Sequence, residues 1–243
     1  MRIPWNNLAE NATLTESSFL SGYPISNVQI PQLARLFKFD GNSGNIVLDF
    51  GAAVNIKSIV IGNTNMTSSG TLTIEANATD SWGGPSYQQA ITVNDDTANQ
   101  ALFLDETYRY FRIVFSDATL TDIEVGHLSF GDYLQIDAWN LDRKNYLNTA
   151  KDSITGTRQL YGKAGINYRS WAINVYMQDS DFANFVTMAE TNQGIDPVWV
   201  FLYEGDFDDY PPVFAKLNIG LLEVEEQYIS NDNYFSFTIE EVN

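Results

Sequence analysis

Short segments in which apolar and polar residues alternate, each cut off by Gly, Asn, Asp or Ser, run through the first half of this chain and constrain its fold more than any other feature. Over 71–76, Leu72, Ile74 and Ala76 fall on one face and Thr71, Thr73 and Glu75 on the other. Over 110–115, Tyr110 and Arg112 share one face and Phe111 and Ile113 the opposite one. Residues 45–50 form a strand pattern that stops at Gly51, 55–61 one that stops at Gly62, and 123–128 reads as a last strand. Strands at this spacing predict a sandwich or jelly roll. The low charged fraction, 18%, and the 14% aromatic content favour strands over helices and exclude a disordered chain.

The pattern changes near Tyr133. Residues 135–141 lead into a polar stretch, 148–158, which reads as a linker or exposed arm. Beyond it, 167–177 is a strand with Trp171, Ile173, Val175 and Met177 on one face. Asp179-Ser180-Asp181 then offers oxygens to cap the orphan N–H groups of a helix. Phe182, Phe185, Val186 and Ala189 recur at helical spacing, and the helix is expected to stop near Asn192–Gly194. Pro197 opens a strand over 198–203, and two more strand patterns follow around 214–225 and 234–242. The expected fold is mainly β: an N-terminal jelly-roll sandwich over 1–132, a linker or assembly arm over 133–158, and a β-sandwich-like domain with one α-helix over 159–243.

Charge and composition exclude several functions. A net charge of −18 repels nucleic-acid phosphates, so specific nucleic-acid binding is not expected. With no cysteine there is no disulfide, thiolate metal site or cysteine nucleophile. His127 is the single histidine and lies in an apolar setting, which suits structure better than base catalysis. No nucleophile elbow or phosphate-binding glycine loop is present, and the chain reads as a non-enzyme without a cofactor. No stretch is apolar enough to span a bilayer, and the segment from Met1 to Asn7 lacks a signal-peptide core, which predicts assembly inside a cell.

The order of elements carries a resemblance. Leu8-Ala9-Glu10-Asn11-Ala12, Tyr23-Pro24, Phe39-Asp40-Gly41-Asn42, Leu48-Asp49-Phe50-Gly51 and Tyr108-Arg109-Tyr110-Phe111-Arg112-Ile113 follow one another as in the galactose-binding-like, or discoidin, family. The resemblance covers about Pro4 to Asp132 and implies a jelly roll that contacts glycans through loop aromatics and polar side chains. Tyr23, Trp82 and Tyr87 are the candidates for glycan or partner contact, with Arg35 and Lys38 as polar partners, and Trp82-Gly83-Gly84-Pro85-Ser86-Tyr87 is the first loop among them. It also implies a structural calcium, for which Asp40 is the candidate ligand. The family's following Thr-x-Trp is replaced here by Ser43-Gly44-Asn45. From about Asn145 onward the order of strand, acid-capped helix, buried strand and hairpin resembles bacteriophage tail-tube and distal-tail proteins.

Together the two resemblances predict a tail-tip, distal-tail or baseplate protein of a tailed phage. It would assemble in the host cytoplasm, form a ring with copies of itself and other tail proteins, reside in the virion tail and contact host glycans. A bacterial carbohydrate-binding or adhesion protein is the alternative. The acidic turn Glu204-Gly205-Asp206-Phe207-Asp208-Asp209 is the candidate channel or interface, since carboxylates on a ring wall would let DNA pass without sticking.

Overall fold

The computed structural model describes residues 1–94, 98–146, 151–154, 160–163, 168–192, 197–202, 212–218, 225–227 and 232–241. It divides into two compact units. The first comprises Arg2–Leu134 and Trp199–Pro212; the second comprises Met1, Gln135–Val198 and Val213–Asn243. The mainly-β class expected from the alternation is the one observed.

The first unit contains strands β1 (Arg2–Trp5), β2 (Thr13–Glu16), β3 (Phe37–Lys38), β4 (Ser43–Gly62), β5 (Thr71–Asn77), β6 (Tyr87–Ile91), β7 (Gln100–Ser116), β8 (Glu124–Val125) and β9 (His127–Gln135). Seven of them form one hydrogen-bonded sheet in the order β1-β9-β4-β7-β5-β6, with β2 also on β4. The pairing registers show how one sheet makes two layers. The first part of β4 pairs with β2 and the last part of β7, and β5 pairs with that same part of β7. The last part of β4 pairs with β9 and the first part of β7.

Between these parts the β4–β7 ladder slips, so that residues 50–53 on β4 lie across from Arg109 alone. A bulge of this kind bends a strand and sharpens its twist. Gly51 takes φ +76 at the bend, a conformation that a Cβ resists. The sequence pattern suggested that Gly51 ends a strand; instead the chain bends there and continues, because β7 keeps pairing on both sides.

Folding the ribbon over brings two apolar faces together. Ile46, Leu48, Leu72, Ile74, Phe111, Ile113 and Phe115 come from one layer, Ile56, Ile59, Ile61, Leu128 and Phe130 from the other, in one buried cluster. Phe111 and Phe130 meet across it with ring centroids 5.9 Å apart. The run Ile59-Val60-Ile61 is wholly buried, as an uninterrupted apolar run should be when both faces are covered. Phe103, across the ladder from Ser58, packs edge-on against Phe201 at 5.0 Å. The Trp199 ring lies so close to Gly62 that a Cβ there would come within 2.3 Å of it. The pattern over 198–203 had pointed to the C-terminal domain alone, yet Trp199–Pro212 clusters with the first unit.

Trp199 Nε1 donates to His127 Nδ1 at 3.2 Å, and the two rings stack 29° from parallel. That bond requires an unprotonated Nδ1. Burial pushes the imidazole from its ordinary 6.5 down to about 4. His127 is therefore a neutral structural residue.

The second unit contains β10 (Asp137–Tyr146), β11 (Lys151–Ile154), β12 (Leu160–Lys163), β13 (Tyr168–Gln178), α1 (Asp179–Asn192), β15 (Val213–Asn218), β16 (Glu225–Gln227) and β17 (Asp232–Glu241); β14 (Val198–Val200) begins there at Val198, and its Trp199 and Val200 fall in the first unit. Antiparallel pairing orders β10, β13, β17 and β15 side by side, with β16 on β17 and β11 on β12. Trp171, Ile173 and Val175 of β13 are buried, and Asn174 between them is exposed. Helix α1 buries Phe185 and Met188, and Phe185 meets Phe237 of β17 at 5.4 Å. Residues 133–158, expected to be a linker or arm, contain β10 and β11 instead. The polar side chains of β10 gave no apolar alternation to read, and β13 supplies the backbone partner that makes it a strand. No helix among the described residues is long and apolar enough to cross a membrane.

Two outcomes follow. Gly131 of β9 approaches β1 so closely that a Cβ would sit 2.5 Å from the Asn6 carbonyl oxygen and 2.7 Å from that of Trp5. Gly131→Ala should cost roughly 1–3 kcal/mol in urea unfolding, because backbone cannot step aside. Thermal unfolding against pH should show stability lost progressively as pH falls from 6.5 to about 4. In that window the unfolded chain takes up the proton that folded His127 refuses. His127→Gln should flatten that part of the profile.

Candidate functional site

Glu75 has the exposed-face position that alternation gives it, yet it is 6% exposed. The cause is a polar and aromatic assembly on the outer face of β5 and β7. Register places Val47, Arg112, Glu75 and Gln88 in one row across β4, β7, β5 and β6. Arg112 Nε donates to Glu75 Oε2 at 2.6 Å, and Gln88 Nε2 donates to Glu75 Oε1 at 2.9 Å. The carboxylate therefore trades water for charge-assisted bonds.

Trp82 lies against Arg112 of this row. The Arg112 guanidinium lies 4.6 Å from the Trp82 ring centroid, a cation–π contact. Trp82 Nε1 donates to Asp80 Oδ1 at 2.7 Å. The loop that carries the indole is itself tied down by Asn77, whose Nδ2 donates to the Ser81 carbonyl at 2.7 Å and whose Oδ1 accepts from Ser86 Oγ at 3.0 Å. Gly83 and Gly84 are exposed with open space around them. The ring is half-buried, with the Arg112 guanidinium against one face.

One step along the same face, Arg109 donates from Nε and a terminal nitrogen to the two oxygens of Asp49, at 2.7 and 2.9 Å, and stacks on Tyr110 at 4.8 Å. The Arg109 bonds, with the Gly51 amide, hold the Asp49 carboxyl down at about 2, from an ordinary 3.8.

The candidates read from the sequence divide between separate places. Tyr87 pairs with the buried Ala76, so its ring packs toward the core and not beside Trp82, and burial raises its phenol. Tyr23 lies beneath the Lys38 ammonium at 4.6 Å, and Lys38 is ion-paired with Glu124, which raises its pKa. This pair stands by β3 and β8, beyond the Ser116 end of β7, whereas Trp82 stands by the Tyr110 end, about 20 Å of strand away. Arg35, expected to partner an aromatic, is exposed and stacks on none among the described residues.

Asp40 is exposed, and no group of three or more metal-ligating side chains occurs among the described residues. Glu204, Asp206, Asp208 and Asp209 lie outside the described residues. Near Asp40 the buried carboxylate is Asp117. Burial pushes it up, but bonds from Thr119 and Thr67 outweigh that and bring it to about 2 from 3.8. Its oxygens accept from Thr119 Oγ1 at 2.6 Å and from the Thr67 amide at 2.8 Å, which accounts for it as a loop fastener.

The Arg112–Glu75 partnership was half legible: alternation sets Arg112 on the face opposite Phe111 and Glu75 on the face opposite Ile74, but the two residues are 37 apart in sequence and only register joins them. Glu75→Gln should destabilise the chain by up to about 3 kcal/mol in chemical unfolding, since it strips the counter-charge from a largely covered guanidinium. Gln88→Ala, which leaves the ion pair, should cost about 1 kcal/mol or less.

No protein-family profile matches the chain, and no curated protein matches it. Similar solved structures include chitosan-binding module 1 of a chitosanase/glucanase from Paenibacillus sp. IK-5, at 18% identity over 52% of this chain and 99% of the module, TM-score 0.43. The lectin domain of lectinolysin complexed with Lewis B antigen is similar at 13% identity over 51% of this chain and 95% of that one, TM-score 0.44. A fucose-binding module from Streptococcus pneumoniae is similar at 11% identity over 52% of this chain and 98% of that one, TM-score 0.44. At these scores the likenesses leave function to the geometry. The expected tail-tube likeness of the second half gains no support from these three.

Proposed function

We propose that this protein binds carbohydrate without transforming it, as a glycan-recognition or adhesion module, and that the Trp82 surface is the contact. The observation that carries the reading is the half-buried indole held on Arg112 and tethered at Nε1 to Asp80, on a loop whose Asp80, Ser81, Gly83 and Gly84 are exposed. A pyranose presents one face of C–H groups and a rim of hydroxyls. An aromatic plane bordered by carboxylate, amide and guanidinium groups matches both, as small-molecule sites generally do. Because the ring is already clamped by the protein, little conformational freedom is lost when a ligand stacks on it.

The tail reading predicts a different behaviour, assembly into a large ring. Mass measurement of the whole chain in solution separates the two: a monomer or small oligomer with sugar affinity supports recognition, and a stable large ring supports the tail.

Affinity should depend on Trp82. In calorimetry or affinity electrophoresis against a panel of oligosaccharides, Trp82→Ala should weaken binding by roughly thirtyfold, or ~2 kcal/mol, the size of an aromatic anchor. Tyr23→Ala, at the far end of the sandwich, should leave affinity within about twofold. Equal binding by wild type and Trp82→Ala would remove this surface from the proposal.

A further inference from the structure

We infer that the Trp82 surface selects amine-bearing saccharides over acidic ones; the inference rests on the sugar-binding reading above. Proteins hold carboxylated and sulfated sugars chiefly with guanidinium forks, whose paired N–H groups match an oxyanion. Two such forks reach this face, and the protein's own acids close both. Arg109 spends two nitrogens on the two oxygens of Asp49, at 2.7 and 2.9 Å. Arg112 is ion-paired with the buried Glu75 and roofed by Trp82.

Elsewhere in the first unit, Lys38 and Lys57 are ion-paired with Glu124 and Asp132, and Arg2 lies over the Phe103 and Tyr133 rings. The remaining base, Arg35, stands outside this face. Asp and Glu outnumber these six bases by more than two to one between Arg2 and Leu134. An incoming anion therefore meets repulsion with no local donor pair to offset it.

A cation meets the opposite. Asp80 is exposed at the rim of the indole. One of its oxygens accepts from Trp82 Nε1 at 2.7 Å, and among the described residues the other accepts nothing. An ammonium on a sugar ring stacked against Trp82 reaches that second oxygen, and the indole face itself attracts positive charge. The acid turned outward and the acids that close the two guanidinium forks act in the same direction.

The test is calorimetry on the whole chain with three oligomers of equal length: glucosamine, N-acetylglucosamine and galacturonate. The expected order is glucosamine tightest, then N-acetylglucosamine, then galacturonate, with the glucosamine advantage shrinking as salt is raised. Asp80→Asn, whose amide oxygen can still accept from the indole, should bring the glucosamine-to-N-acetylglucosamine ratio to about one, from roughly threefold or more. Asp49→Asn should open the Arg109 fork and raise galacturonate binding; Glu75→Gln should do so through Arg112, and Asp49→Asn keeps the test sound if that variant unfolds. Galacturonate bound as tightly as the others by wild type, or glucosamine and its acetylated form bound equally, overturns the inference and leaves sugar binding standing. Failure of all three to bind a chain that is folded by circular dichroism overturns the sugar reading together with it.

Discussion

The first unit depends on a single bend. Where β4 passes residues 50–53, its ladder with β7 slips, and the long two-stranded ribbon folds over on itself. Phe50 sits at that fold and packs against Phe111 from one layer, at 5.9 Å, and Phe130 from the other, at 6.2 Å. One side chain thus fills the crease that the bend creates. Without the bend the two apolar faces could not close on each other, and burial of those faces is the main source of favourable free energy in such a domain. Gly51 makes the turn sterically accessible. The Asp49–Arg109 pair and the Gly51 amide bond to Asp49 secure its outer side.

The same bend sets up the candidate site. Its outer surface carries Asp49 and Arg109, and the row beside it carries Arg112 and Glu75, roofed by the Trp82 loop. The ion pairs there are the reason an aromatic side chain can lie flat on a charged sheet face. They neutralise one another, supply a flat cationic seat for the indole, and leave Asp80 as the outward charge. A surface built this way is stiff, and stiffness is what a recognition site needs to hold a weakly interacting ligand.

Much of the fold was legible in the alternation. Leu72, Ile74 and Ala76 face inward as their spacing says, as do Phe111 and Ile113, and α1 covers the helical spacing of Phe182 to Ala189 and ends at Asn192. Less legible were features that depend on a partner strand. The stretch containing Asp137–Tyr146 is polar and reads as a linker, but pairing with β13 makes it a strand. The site was legible only in pieces. Trp82 stands out as an aromatic between turn residues, and Arg112 as an outward residue on a strand. Nothing in the sequence brings the two together, and Arg35 and Lys38 were as plausible as partners for a loop aromatic.

By itself, the sequence determined the period of two that makes strands, the residues that turn inward, the glycine at the bend and the acidic balance that disfavours anionic partners. These are properties of local sterics and composition, which act before any distant contact forms. Only the tertiary structure decided that Gly51 bends a strand instead of ending it, that Trp199 reaches His127, and that Trp82 rests on Arg112, which Glu75 holds. Those outcomes depend on register between strands far apart in the chain, and a shift of one residue would turn Arg112 inward and Phe111 out.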